Sequence, residues 1–93
     1  YYQEFEQAMK AADEKGWRLP MDEEYLEKLQ SNSADFKNGP MTFGGEASGA
    51  ACLLNEFVED GNKWIHLDIA ATAKTPDGAT GAMIRSIVEL LKP

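Results

Sequence analysis

Residues 64–73 constrain the fold of this chain more than any other segment, because large apolar and polar side chains alternate and then give way to small ones. The two faces that the alternation defines are Ile65, Leu67 and Ile69 on one side and Trp64, His66 and Asp68 on the other. This period of two predicts a strand over residues 64–70, with both faces covered. Ligands of α/β enzymes bind at the carboxyl ends of strands, and the small residues that close this run leave room there for a ligand.

Four further segments have the apolar spacing of amphipathic helices. They are residues 1–15 with Gly16 as C-cap, residues 22–29 with Asp22 as N-cap, residues 47–58, and a last helix capped by Thr80. A short strand is predicted over residues 34–38 and a loop over residues 39–45. The order helix, helix, strand, helix, strand, helix predicts an α/β fold, namely the tail of a sandwich with two short parallel strands.

The apolar stripes of three helices can be read directly. They are Tyr1, Phe5, Ala8, Met9 and Ala12 in the first helix, Ala47, Ala50, Ala51, Leu54, Phe57 and Val58 in the third, and Met83, Ile84, Ile87, Val88 and Leu91 in the last. The third stripe is small at its start and large at its end, which lets its first half approach a sheet closely.

Charge and length limit the classes of function. The 93 residues hold 9 Lys and Arg against 16 Asp and Glu, with no basic patch, so nucleic acid and anionic membranes are excluded as main partners. A chain of this size forms at most one small domain. No stretch approaches the ~18–20 apolar residues of a spanning helix, and no signal segment opens the chain. Since it begins at Tyr1 inside a helical pattern, we expect a fragment or a processed piece.

Few residue types with catalytic potential are present. The single Cys52 cannot form an intramolecular disulfide, which fits the cytoplasm, and its place beside Leu53 favours a small core residue over a nucleophile. His66 and Asp68 lie two apart on one strand face and can form a metal site or an acid/base couple. We favour structural roles for both, because a catalytic metal site normally needs about three protein ligands and no second cluster is visible.

Two glycine-rich segments can bind an anion through backbone N–H groups. Gly44, Gly45 and Gly49 with Ser48 form one, although loop flexibility and close helix packing explain them equally well. Gly78-Ala79-Thr80-Gly81 forms the other, and there we favour a capped helix start. The acidic residues of positions 1–30 are interpreted as solvated helix faces without chemistry.

Several motifs together resemble, in order, the C-terminal part of the leucyl (cytosol) aminopeptidase family. They are Trp17-Arg18-Leu19-Pro20, Asp22-Glu23-Glu24-Tyr25, Ser33-Ala34-Asp35, Asn55-Glu56-Phe57, His66-Leu67-Asp68-Ile69-Ala70, and Gly78-Ala79-Thr80-Gly81 with Arg85. The resemblance covers nearly the whole chain. Each motif alone is weak, but their order and spacing are specific.

The resemblance implies a cytoplasmic exopeptidase that removes N-terminal residues from peptides and is commonly a homo-hexamer. It implies a three-layer α/β/α zinc-exopeptidase-like sandwich, of which residues 1–93 are one partial domain. Two divalent ions, zinc or manganese, activate a bridging water in such enzymes. The family's metal ligands and catalytic arginine lie upstream, and nothing in this sequence matches them. We therefore expect this chain to hold no catalytic residue and to bind no metal itself.

The resemblance implies that this chain contributes part of the substrate-binding pocket. Ala70 and Ala73 match family positions that line the pocket for the substrate's N-terminal side chain, and small groups there suit a bulky apolar residue such as leucine. His66 and Asp68 are then structural supports of that strand end.

The chain departs from the family pattern in three places: Ala71 replaces a glycine, residues 41–46 replace a Gly-Gly-Arg turn, and Lys74 replaces an aromatic ending. Two alternatives therefore stay open. One is a non-catalytic α/β binding or assembly module that retains the scaffold. The other, less favoured, is a small metal-binding protein that uses His66 and Asp68.

Overall fold

The computed structural model describes residues 1–37 and 45–93, which fall into two compact units. Unit 1 consists of Tyr1–Trp17 and Ile65–Pro93, and unit 2 of Arg18–Trp64. The helices of the described residues are α1 Tyr2–Ala11, α2 Glu23–Glu27, α3 Glu46–Asn55 and α4 Ile84–Leu91, and the strands are β1 Lys74–Thr75 and β2 Gly78–Ala79. The prediction of an α/β chain is confirmed at this level.

Helix α1 buries the centre of the predicted stripe, whereas Tyr1 is exposed, and the helix ends earlier than the sequence indicates. The buried side chains are Phe5, Ala8 and Met9. Asp13 adopts the left-handed conformation with φ 55°, and its N–H donates to the carbonyl oxygen of Lys10 at 3.2 Å. The N–H of Glu14 donates to the carbonyl oxygen of Met9 at 2.9 Å, which completes a Schellman motif. The prediction of Gly16 as C-cap is therefore wrong, because Asp13 takes the left-handed position three residues earlier.

Helix α4 packs against α1. Ser86 is fully buried between the two helices, whereas most of the predicted apolar stripe faces solvent. The exposed members are Ile84, Ile87, Val88 and Leu91. A small residue at the contact lets the two helices approach closely, and the large apolar side chains are consequently left on the outside.

The sheet of unit 1 differs from the predicted one. Strands β1 and β2 form a hairpin in which Lys74 pairs with Ala79 and Thr75 pairs with Gly78. The strands are antiparallel, so the prediction of parallel strands is wrong. The residues between them form a two-residue turn, a connection that only antiparallel neighbours can use.

Residues 62–69 carry no regular secondary structure in the described part of the chain, so the strand predicted over residues 64–70 is not formed. The alternation of side chains is present, but a strand also needs a neighbour that pairs with its backbone. The described residues place no such neighbour beside it.

Unit 2 confirms one predicted cap and corrects one predicted face. Asp22 caps α2, since its Oδ1 accepts from the N–H of Glu24 at 3.0 Å. Helix α3 buries Ser48, Gly49 and Cys52, whereas Leu54 and Phe57 of the predicted stripe are exposed. The small residues form the side that allows close packing, as at α4.

The N-cap of α3 is Gly45, whose φ is 69°. A Cβ at this position would meet Cε1 of Tyr25 at 2.5 Å. Close approach and a left-handed conformation therefore account for this glycine. In place of the strand predicted over residues 34–38 there is one isolated antiparallel bridge, Gln30 to Phe36. Asn38 and the predicted loop residues 39–44 lie outside the described residues.

Candidate functional site

The segment that follows residue 67 carries the predicted substrate-side residues and consists of consecutive turns. Oδ1 of Asp68 accepts from the N–H of Ala70 at 3.1 Å. The N–H of Thr72 donates to the carbonyl oxygen of Ile69 at 2.9 Å. Ala70 is exposed and Ala73 is half-buried. Both lie on one short segment whose backbone makes local hydrogen bonds, and their assignment to a substrate pocket stays a prediction.

Thr80 joins this segment to the start of α4. Its N–H donates to the carbonyl oxygen of Ala73 at 3.0 Å, and its hydroxyl donates to the carbonyl oxygen of Thr72. The same hydroxyl oxygen accepts from the N–H of Ala82 at 3.2 Å. The prediction of Thr80 as N-cap of the last helix is wrong, because α4 begins at Ile84 with Met83 as N-cap.

Glu14 performs the capping of α4 from a distant point in the sequence. Its Oε1 accepts from the backbone N–H of Ser86 at 2.9 Å and from the Ser86 hydroxyl at 2.7 Å. Its Oε2 accepts from the N–H of Met83 at 2.9 Å and from Nη2 of Arg85 at 3.2 Å. The side chain of the N-cap residue Met83 has no oxygen that could cap the helix, and Met83 is held in the left-handed conformation at φ 68°. The carboxylate thus supplies what an N-cap side chain normally supplies.

Electrostatics make Glu14 a poor proton carrier. The Ser86 hydroxyl lowers the pKa of this carboxyl first, the backbone N–H groups of Met83 and Ser86 and the charge of Arg85 lower it further, and burial opposes them. Only 7% of the side chain is exposed, so both oxygens are committed to these partners. Glu14 therefore stays ionised at neutral pH and acts as a structural anchor. The interpretation of all acidic residues of positions 1–30 as solvated faces is wrong for this one.

A shallow groove of about 470 Å³ lies over this anchor. Its walls are formed by Asp13, Glu14, Lys15, Thr72, Thr80, Ala82, Met83 and Arg85. Ala70 and Ala73 do not line it, whereas Thr72 between them does. No local pattern in the sequence points to Glu14 or Ser86, because the residues that they connect are about seventy positions apart.

The thiol of Cys52 is the one candidate nucleophile that the sequence analysis considers. Cys52 is buried, and its thiol lies 3.7 Å from the carbonyl oxygen of Asp22 as a weak donor. Burial raises the pKa of the Cys52 thiol, and the charges of Asp22 and Glu56 raise it further, so the thiolate that a nucleophile requires is disfavoured. The interpretation of Cys52 as a core residue agrees with this environment.

His66 is half-buried, and the carboxylate of Asp68 is engaged by the backbone as described above. Within residues 1–37 and 45–93, no three His, Cys, Asp or Glu side chains are grouped so that they could hold a metal ion. The described residues therefore do not fit a two-metal centre. None of the helices in the described part is long and apolar enough to cross a membrane.

Comparison with known proteins gives consistent matches. The model of the cytosol aminopeptidase family, catalytic domain, matches residues 1–88. The probable cytosol aminopeptidase of Acidobacterium capsulatum is 47% identical over 98 residues, covering 98% of this chain and 19% of that protein. The one from Koribacter versatilis is 42% identical, covering 99% and 19%. That of Mycoplasma pneumoniae is 44% identical, covering 91% and 19%.

The chain thus spans about a fifth of the length of the curated relatives that it matches. No solved structure matches it significantly.

Proposed function

The chain belongs to the cytosol aminopeptidase family, and on that basis we propose that it works as the C-terminal part of a leucyl-aminopeptidase-like exopeptidase. In that enzyme it supplies scaffold and part of the pocket for the N-terminal side chain of a peptide. The observation that carries the proposal is the family match over residues 1–88, within which residues 70–73 offer small side chains at a turn. The rest of the catalytic domain supplies the metal ligands.

This chain and the remainder of the catalytic domain have different roles in the proposed enzyme. A pair of divalent ions, zinc or manganese, polarises the scissile carbonyl and activates water when bound by the remainder of the domain. This chain contributes no ligand to them. Ala70 and Ala73 leave space in the pocket because their side chains are small. The turns after Asp68 orient the segment that forms this wall of the pocket. Peptides are the substrates, the cytoplasm is the compartment, and a homo-hexamer is the assembly.

Two structural features fit a chain that completes a larger domain. The alternating residues 65–69 have no strand partner among the described residues, and the apolar side of α4 is exposed. We propose that both are covered in a three-layer α/β/α sandwich by the rest of the catalytic domain. Strand edges and apolar faces of this kind cause association when they are left open.

The first test measures leucine release from a chromogenic leucyl amide by the 93-residue chain, with and without zinc or manganese. We expect no turnover in either condition, because the metal ligands are supplied elsewhere. Metal-dependent turnover by the isolated chain would contradict this placement of the chemistry and return His66 and Asp68 to consideration as ligands.

The second test restores a complete domain. The chain replaces the matching segment of the Acidobacterium capsulatum relative, and the chimaera is assayed on leucyl and alanyl amides. We expect turnover, and we expect Ala70→Phe to lower kcat/KM about tenfold or more for the leucyl amide with a smaller loss for the alanyl amide, because the ring fills space that leucine needs. Ala11→Phe, at an exposed position of α1, is the matched control.

An equal loss on both amides would contradict the role of Ala70 in the pocket. An inactive chimaera beside an active parent would favour the alternative function, a non-catalytic binding or assembly module that retains the scaffold.

A further inference from the structure

Thr80 occupies an unusual junction in unit 1, since its atoms contact three separate points of the backbone. Its N–H and hydroxyl hold the carbonyl oxygens of Ala73 and Thr72, and its hydroxyl oxygen receives the N–H of Ala82. Thr72 and Ala73 belong to the predicted pocket segment, whereas Ala82 directly precedes the N-cap of α4. The single residue Thr80 therefore connects the predicted pocket segment to the start of α4.

The far end of this connection is fixed. Glu14 holds the N–H groups of Met83 and Ser86, so the start of α4 is anchored on the end of α1. The near end is held less firmly, because Ala70, Ala71 and Thr72 are exposed and their remaining hydrogen bonds are local turns. Segments with few buried contacts open locally at small free-energy cost. The position of residues 72–73 therefore depends on their attachment to Thr80.

The hydroxyl group itself is required for two of the three bonds. One oxygen donates its proton to the carbonyl oxygen of Thr72 and accepts from Ala82 through a lone pair. Valine has the same shape but can make neither bond, whereas serine can make both. The backbone bond from the Thr80 N–H to Ala73 is available to either residue.

We propose that Thr80 is a positioning residue that sets the place of the pocket segment 70–73, and through it the preference for a bulky apolar side chain. The inference rests on the proposed function, since it assumes that Ala70 and Ala73 line the pocket. Thr80 contacts no substrate in this scheme. Its effect is exerted through the carbonyl groups of Thr72 and Ala73, whose displacement would move the wall that receives the substrate side chain.

The kinetic test uses the chimaera described above. We expect Thr80→Val to raise KM for the leucyl amide about threefold to tenfold with little change in kcat, and to reduce the preference for leucyl over alanyl amide by a similar factor, because a shifted wall weakens side-chain binding and leaves the metal centre in place. Thr80→Ser should restore both values.

Thr75→Val is the matched control, because the Thr75 hydroxyl accepts from the nearby N–H of Asp77 within the hairpin turn and makes no other bond among the described residues. Equal behaviour of Thr80→Val and Thr75→Val would overturn the proposal, and so would a folded Thr80→Ser variant that behaves like Thr80→Val.

A second measurement separates this inference from the proposed function. Amide hydrogen exchange in the 93-residue chain should become faster at Ala82 in Thr80→Val and stay unchanged in Thr75→Val. Unchanged exchange at Ala82 would overturn the connection itself. Faster exchange together with an inactive chimaera, or with an Ala70→Phe variant of unaltered preference, would locate the failure in the proposed function and remove the substrate role of Thr80 with it.

Discussion

The two helices α2 and α4 both need partners for the free N–H groups of their first turns, and they obtain them in different ways. At α2 the partner is the side chain of Asp22, which accepts from Glu24 two residues later. At α4 the residue in the corresponding place is Met83, and the partner is Glu14, which lies at the other end of the chain. The first cap is a property of a short sequence, and the second exists only after α1 and α4 have come together.

Loss of the two caps is therefore expected to have different structural consequences. Loss of a local cap frays one end of a short helix and leaves the remaining contacts unaffected. The Glu14 cap, in contrast, also joins α1 to α4 and buries the Ser86 hydroxyl at their contact. Its loss leaves buried donors without partners, which is more costly than a missing surface bond.

The largest effect is therefore expected for Glu14→Ala. The N–H groups of Met83 and Ser86 and the Ser86 hydroxyl lose their acceptor, so α4 should open locally and the melting temperature should fall by more than in any variant discussed below. Hydrogen exchange should accelerate at Ser86 and stay unchanged at Glu24. Glu14→Gln, which keeps the shape and one acceptor oxygen, should lie between Glu14→Ala and the parent. Unaltered exchange at Ser86 in Glu14→Ala would show that packing alone holds α4.

Acid is expected to reproduce part of that effect without a mutation. The folded-state pKa of Glu14 is held below its ordinary value by the Ser86 hydroxyl, the backbone N–H groups and Arg85. The resulting stabilisation is fully present above the unfolded-state pKa of about 4.3 and is lost as the pH falls through the lower folded-state value. Exchange at Ser86, corrected for its intrinsic pH dependence, should rise in the parent as the pH falls through the lowered pKa of Glu14, and Glu14→Gln should remove this rise. A rise of equal size in Glu14→Gln would assign it to another group.

A smaller and strictly local effect is expected for Asp22→Ala. Removal of an N-cap side chain costs about 1 kcal/mol, and here it should accelerate exchange at Glu24 without reaching Ser86. Asp22→Asn keeps an acceptor oxygen and should cost a few tenths of that amount. If Asp22→Ala also loosened α4, the contrast between a local cap and a distant cap would be lost.

The same contrast explains how far the sequence predicts this molecule. Three predictions that depend on residues within one or two helical turns are confirmed: the cap at Asp22, the burial of Phe5, Ala8 and Met9 in α1, and the core position of Cys52. The cap at α4 depends on residues about seventy positions apart. The sequence therefore favours Thr80, which is the last residue with a cap-forming side chain before the apolar stripe, but the Thr80 hydroxyl is bonded to Thr72 and Ala82.

The other differences between prediction and structure concern segments whose structure depends on contacts with residues distant in the sequence. The alternation over residues 64–70 describes a strand, but a strand forms only beside a neighbour, and the described residues place none there. The size of the apolar side chains predicts that the stripes of α3 and α4 face inward, yet Ser48 and Ser86 are buried instead, because small residues permit close helix contacts. At the candidate site, the family resemblance indicates Ala70 and Ala73, whereas the attachment of their segment through Thr80 is visible only in the three-dimensional contacts.

The smallest effect is expected for Arg85→Ala, and it decides what kind of cap Glu14 provides. The Arg85 side chain is 64% exposed, and ion pairs of such groups contribute about 0.5 kcal/mol or less. Lys92→Ala, which removes the exposed pair with Glu89 on the same helix, is the matched control and should be equally mild. If Arg85→Ala instead approached the effect of Glu14→Ala, and high salt reproduced it, the junction would be held by charge and would resemble a surface ion pair. If the effect of Arg85→Ala is small and does not depend on salt, the cap on α4 is held by the hydrogen bonds from the backbone N–H groups and the Ser86 hydroxyl to Glu14. These bonds then make the Glu14 cap stronger than the Asp22 cap.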